Sequence, residues 1–191
     1  MLFSRKPTVV GLCLGGGGAR GYAHLGALKA FEEYGINFDM VAGCSVGSCV
    51  GAFICSGKSF GEIYDIAKQL QAKDIRRNKI KFMPSSTEGL QELISNNIEQ
   101  TNIEDLPKKL FIVSVDAKTG KEVVFNKGEL AKAVAGSCAV PGVFYAVSYN
   151  DMTLIDGGVM NNIPADVLRK NGCDVVITVD VNSTRGSGTA S

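Results

Sequence analysis

The reading of this chain turns on residues 14–31, LGGGGARGYAHLGALKAF. An apolar run, TVVGLCL (8–14), leads into glycines 15–18. A segment follows with Leu25, Leu28 and Phe31 along one face and Lys29, Glu32 and Glu33 among its charges. The first run reads as a buried strand. The last reads as an amphipathic helix over 22–34, ended by Gly35. Bare backbone between a strand and a helix suits two tasks. It can cradle a phosphate, or it can offer amide N–H groups to an oxyanion.

The next motif bears on that choice. FDMVAG (38–43) is a second strand, and residues 46–56 are small and apolar, as in a helix buried between neighbours. Between them lies Gly43-Cys44-Ser45-Val46-Gly47, a GxSxG pattern set between strand and helix, the setting of a nucleophile elbow. A turn that tight leaves no room for side chains two positions either side of Ser45, so glycine belongs at 43 and 47. A Gly-rich turn with an incidental serine would look the same. Ser48 is the competing hydroxyl and reads as a backbone-bonding or packing residue.

A serine nucleophile needs a base. The chain has one histidine, His24, just past the glycine loop, and it reads as a capping or packing group of the first helix. The remaining candidate is Asp156, which closes the short apolar strand MTLID and precedes Gly157 and Gly158. Ligands of parallel sheets bind at strand ends. A carboxylate is a weak base in water, and a dry, partly buried site strengthens it. Taken alone, Asp-Gly-Gly is also a plain turn signal.

Composition narrows the class. The 191 residues suffice for one domain, expected over 1–182, with 183–191 as a flexible polar tail. Twenty Lys and Arg against nineteen Asp and Glu give no case for nucleic-acid binding. The six cysteines form no CxxC pair, so a zinc site is poorly supported. They read as free thiols of a reducing compartment, and with no signal-peptide pattern at the start the expected location is cytoplasmic. The uncharged stretch 40–57 approaches the length of a membrane span but divides into strand, turn and helix. Further on, 59–70 and 87–98 predict amphipathic helices. The pattern then predicts strands over 110–117 and 121–126 joined at Thr119-Gly120, a helix over 128–139, short strands over 144–150 and 152–156, a helix over 162–172 and a strand over 174–181. Strands alternating with helices make an α/β protein with a mainly parallel sheet.

GGGGARG, GCSVG and DGG, in this order and these settings, resemble the motifs of the bacterial patatin-like phospholipases. SCAVPGVF (137–144) also resembles the segment that precedes the aspartate element in that family. The resemblance runs from about Thr8 to Val181. It implies a three-layer α/β/α sandwich with a nucleophile elbow, and a serine acyl hydrolase acting on phospholipid or lysophospholipid esters. It implies a Ser45–Asp156 dyad without histidine, metal or cofactor. Gly16, Gly17 and Gly18 match the oxyanion-hole motif, the amides of Gly17 and Gly18 being the expected donors, with Arg20 and Gly21 supporting the loop.

Two alternatives stand beside this reading. One is a non-catalytic lipid-binding or regulatory module on the same fold. The other is dinucleotide binding, since Gly16-x-Gly18-x-x-Gly21 fits a GxGxxG fingerprint and Asp39 lies 18 residues beyond Gly21. The expected partner is a lipid acyl ester. The basic and apolar segment 73–83, with Lys73, Arg76, Arg77, Lys79 and Lys81, suits peripheral contact with an anionic membrane at its inner surface, or an ordinary solvated turn.

Overall fold

The structure is a computed structural model that describes residues 7–76 and 85–182, apart from the side chains of 70–76. The basic segment 73–83 therefore falls outside the described residues, except for the backbone of 73–76.

The chain builds strands wherever β-branched and apolar residues alternate between two covered faces. Strand β1 is Val10–Leu14, β2 Met40–Cys44, β3 Lys109–Asp116, β4 Lys121–Phe125, β5 Val147–Tyr149, β6 Met152–Asp156 and β7 Val175–Val179. The helices are α1 (Tyr22–Glu33), α2 (Val46–Cys55), α3 (Phe60–Arg76), α4 (Glu88–Asn97), α5 (Leu130–Ser137) and α6 (Ala165–Lys170). Strands β7, β1, β2 and β3 lie side by side in that order, all parallel. Strands β4 and β6 run antiparallel to β3, and β5 runs antiparallel to β6. The sheet is thus parallel at its centre and mixed beyond β3.

The period of two sorts the core. Leu12, Leu14, Val41, Leu110 and Ile112 face one side, where they pack with buried residues of α1 to α5. Cys13, Met40, Ala42, Phe111 and Val113 face the other, where Val167 and Leu168 of α6 cover them. Helix layers on both faces make an α/β/α sandwich with one thick and one thin layer.

The register along β3 positions the site. Strand β2 pairs with residues 109–113 of β3, ending at Cys44 opposite Val113. Strand β6 pairs with 114–116, ending at Asp156 opposite Ser114. Strand β4 pairs with 112–116. A strand has two hydrogen-bonding edges, so β4 takes one and β2 and β6 share the other. Running in opposite directions, β2 and β6 meet with their C-terminal ends at neighbouring positions.

Some elements are shorter than the pattern predicts. Helix α6 starts at Ala165 rather than 162, because Pro164 disfavours helix in the residue before it. The main chain of Asn162 is also spent on the glycine loop. Strand β7 stops at Val179, freeing 180–182 to turn toward the same loop.

Ile112 and Ser114 test the β3 frame. Ile112 is fully buried, and Ile112→Ala is expected to cost about 2–5 kcal/mol in urea unfolding. The hydroxyl of Ser114 is buried without a hydrogen-bond partner among the described residues. Ser114→Ala should therefore leave stability unchanged or raise it; a loss above about 1 kcal/mol would reveal a partner for that hydroxyl.

Candidate active site

Ser45 stands between β2 and α2 with φ 52° and ψ −128°. A non-glycine residue in that region stores on the order of 1–3 kcal/mol, which surrounding contacts must hold. Three contacts do so. The Ser45 amide donates to Ser137 Oγ at 2.9 Å, the Ser137 hydroxyl donates to the Val113 carbonyl at 2.6 Å, and the Ser48 hydroxyl donates to the Ser45 carbonyl at 2.7 Å. The side chain is left at the start of α2, where the helix presents its positive end.

The flanking glycines are required by close approach, for different reasons. A Cβ on Gly43 would lie 2.4 Å from the Gly47 carbonyl oxygen, across the elbow itself. A Cβ on Gly47 would lie 2.1 Å from the Leu14 carbonyl oxygen. The second constraint comes from the end of β1 and not from residue 43, which corrects the sequence-level explanation for Gly47.

Asp156 is buried at the end of β6. Its amide donates to the Ala139 carbonyl at 3.0 Å. Its Oδ1 accepts from the Gly158 amide at 2.7 Å and faces the Cys44 thiol at 3.8 Å. Its Oδ2 is buried with no hydrogen-bond partner among the described residues. A Cβ on Gly157 would strike the Val113 carbonyl, and one on Gly158 would lie 2.9 Å from Asp156 Oδ1. Burial, and then the neighbouring carboxylate, push the Cys44 thiol well above the usual range, so it stays protonated beside the serine.

The glycine loop leaves β1 beside this pair. The Gly16 amide donates to the Asn162 carbonyl at 3.1 Å, which removes it from the candidate oxyanion donors. Gly16 instead gives close approach: its Cβ would lie 3.1 Å from Ser45 Cβ. The amides of Gly17 and Gly18 have no acceptor among the described residues. The Gly16 carbonyl accepts from the side-chain amides of Asn162 and Asn182, and Arg20 donates to Asn182 Oδ1 at 2.6 Å. Arg20 thus braces the loop through Asn182, while Gly21 packs against Val46, the first residue of α2. Gly16, Gly17, Gly18, Ser45, Asp156 and Gly158 line one open cleft of about 320 Å³, with Val140, Pro141, Val159, Asn162 and Asn182 completing it.

His24 and Asp39 lie outside this constellation. His24 Nε2 donates to the Gly15 carbonyl at 2.8 Å, and Nδ1 is buried without a partner among the described residues. Burial pushes its pKa below the ordinary value, so the ring is neutral. Asp39 accepts from the Val10 amide at 2.7 Å, at the N-terminal ends of β1 and β2. The glycine loop is at the C-terminal end of β1, about 16 Å away at the usual rise per residue. A ribose-binding acid belongs at the end where the loop is, so the dinucleotide reading fails. Among the described residues no group of three or more His, Cys, Asp or Glu has the arrangement of a metal site, and no helix is long and apolar enough to cross a membrane.

Ser137, Asn162 and Asn182 support the site but are not singled out by sequence. Ser137 resembles any small helical residue. Asn-Asn before Ile-Pro reads as a loop, and Asn182 reads as the edge of a polar tail.

A strained serine elbow, a buried aspartate at the neighbouring strand end and a glycine loop with unspent amides are thus gathered at one end of an α/β/α sandwich. The Patatin-like phospholipase family profile matches residues 12–169. Among curated proteins, an uncharacterised NTE-family protein of Mycobacterium tuberculosis is 33% identical over 178 residues, covering 92% of this chain and 30% of that protein. Patatin-like phospholipase domain-containing protein 7 of Rattus norvegicus is 36% identical over 187 residues, covering 92% and 14%. Lysophospholipase NTE1 of Cryptococcus neoformans is 33% identical over 185 residues, covering 91% and 11%. Among solved structures, VipD of Legionella pneumophila shares the fold at TM-score 0.62 and 18% identity, over 90% of this chain and 49% of that one. The type III effector ExoU does so at 0.56 and 18%, over 95% and 49%. This chain belongs to the patatin-like phospholipase family. It spans less than a third of the length of these curated relatives.

Two substitutions test the supports. Ser137→Ala leaves the buried Ser45 amide without its acceptor, so urea unfolding should show a loss of about 1–3 kcal/mol. His24→Gln keeps an N–H for the Gly15 carbonyl but does not titrate. The folded-state pKa of His24 is lowered from 6.5, so its contribution is complete above that pH and is lost as pH falls through the folded value. Unfolding measured from pH 7 downward should show wild type losing stability relative to His24→Gln. Parallel curves would contradict a neutral buried His24.

Proposed function

We propose that the chain is a serine acyl hydrolase of lipid acyl esters, phospholipid or lysophospholipid, working through a Ser45–Asp156 dyad and an oxyanion hole of the Gly17 and Gly18 amides. The observation that carries this reading is that Asp156, whose buried Oδ2 has no partner among the described residues, lines the same cleft as a strained Ser45 and two glycines with unspent amides. Groups left unsatisfied together in an otherwise bonded interior are where a substrate supplies the missing partners.

In the first step Asp156 Oδ2 takes the Ser45 proton as Oγ attacks the ester carbonyl carbon. The carbonyl π electrons move onto oxygen, and the Gly17 and Gly18 amides hold that charge. Losing such a donor typically costs on the order of 3 kcal/mol of transition-state stabilisation. The intermediate collapses, the C–O bond to the alcohol breaks, and protonated Asp156 gives its proton to the leaving oxygen. In the second step Asp156 takes a proton from water, whose oxygen attacks the acyl-serine. The fatty acid leaves, and the proton returns to Ser45.

A second cavity of about 170 Å³ supports an aliphatic acyl group. It opens on the other side of Gly18, between α1, α2 and α3, and is lined by Leu25, Val46, Val50, Phe53, Ile63 and Leu93 among others. Gly18 lines both this apolar space and the cleft, so an ester whose carbonyl oxygen sits on the Gly17 and Gly18 amides has the cavity as the nearest apolar room for its chain. The printed name of one relative, lysophospholipase, accords with such a substrate.

Intact-mass analysis after fluorophosphonate treatment should show one adduct on wild type and none on Ser45→Ala. A folded wild type that takes no label would point to a non-catalytic module. Asp156→Asn should reduce ester turnover by about 10²–10⁴-fold, the usual worth of a positioned general base. Near-normal turnover would remove Asp156 from the dyad.

A further inference from the structure

The surface around the cleft differs from the rest of the described surface. Twelve large apolar side chains are exposed among the described residues. Six of them fall in two short segments: Val140, Val143 and Tyr145 in one, Val159, Met160 and Ile163 in the other. These segments border the cleft from both sides, since Val140 and Pro141 line it from the first and Val159 and Asn162 from the second. Val143, Tyr145, Val159 and Met160 are each more than half exposed. Neither segment carries a charge: residues 133–150 and 157–165 contain no Asp, Glu, Lys or Arg. An ordinary soluble surface is about a quarter to a third charged. Exposed apolar loops without charge are therefore out of keeping with permanent contact with water.

We propose that these two loops are an interfacial docking rim, which seats the chain on the surface of a lipid aggregate so that substrate enters the cleft from the lipid phase. The proposal rests on the hydrolase reading for its purpose but not for its measurement. Two observations favour a lipid surface over a protein partner. The rim borders the cleft, so a tightly bound protein there would obstruct the route to Ser45, whereas a lipid layer delivers material into it. The rim is also aliphatic with one amphipathic tyrosine, Tyr145, and neither segment has a charge for specific pairing. Docking of this kind is driven by apolar burial and is insensitive to salt, unlike recruitment by a basic segment.

The test uses the full chain carrying Ser45→Ala, so that no turnover alters the membrane, and co-sedimentation with neutral phosphatidylcholine vesicles. The parent should bind, with little change on adding salt. Adding Val143→Glu and Met160→Glu, neither of which lines the cleft, should reduce partitioning at least about tenfold. With Ser45 restored, the Val143→Glu, Met160→Glu chain should keep wild-type turnover of a soluble short-chain ester and lose turnover of vesicle lipid. Unchanged partitioning of the folded variant, or no vesicle binding by the parent, would overturn the proposal. So would binding that salt abolishes, because that traces to charge. A dimer in sedimentation velocity that the two glutamates dissolve would assign the rim to a second copy of the chain and overturn it too. Absence of all ester turnover with vesicle binding intact would defeat the hydrolase reading alone.

Discussion

The site depends on one edge of one strand. Strand β3 offers two lines of hydrogen-bonding groups, and β4 occupies one of them along 112–116. The other is divided between β2, which stops at Cys44, and β6, which arrives from the opposite direction and stops at Asp156. Two strands cannot overlap on one edge. Each must end where the other ends, and the residues at their ends are held at adjacent register positions, 113 and 114. Ser45, just beyond the end of one strand, and Asp156, at the end of the other, are thus brought together by backbone pairing, before any side-chain contact is considered. The antiparallel strands beyond β3 are what allow a second strand end to point at the elbow.

The interior around this junction is divided between groups that are bonded and groups that are not. The Ser45 amide and carbonyl are held by Ser137 and Ser48, the Gly16 amide by Asn162, and the Gly16 carbonyl by two asparagines. These bonds fix a backbone conformation that a serine resists on its own. Against that background the Oδ2 of Asp156 and the amides of Gly17 and Gly18, which have no partner among the described residues, stand out. A protein that satisfied them internally would be more stable and less able to accept a substrate. Burial likewise pushes the thiols of Cys13, Cys49 and Cys55 up to about 12, which keeps them protonated.

The two faces of the glycine loop carry different chemistry. One opens on the cleft that holds Ser45 and Asp156, and the other on an apolar cavity between α1, α2 and α3. Gly18 belongs to both, with φ +56° and open space where a Cβ would stand. A side chain at that point would be strained by the positive φ.

Much of this was legible in the chain of letters because local chemistry determines it. Alternation of apolar residues marks the strands, GCSVG marks a tight turn at Ser45, and Asp156 before two glycines marks a strand end. Each is a statement about neighbours within a few residues. Which edge of β3 receives β6 is not local: it sets residues more than a hundred positions apart side by side. The same holds for Gly47, whose constraint comes from Leu14, and for Asn162 and Asn182, whose amides close on Gly16. The availability of a donor is also a tertiary property. Three glycines in a row look equivalent in sequence, and only the folded chain removes Gly16 by bonding its amide to Asn162. Sequence alone therefore determined the elements and the candidate chemistry. The tertiary structure decided which groups meet and which remain unpaired, because hydrogen-bond satisfaction depends on partners that the chain brings from a distance.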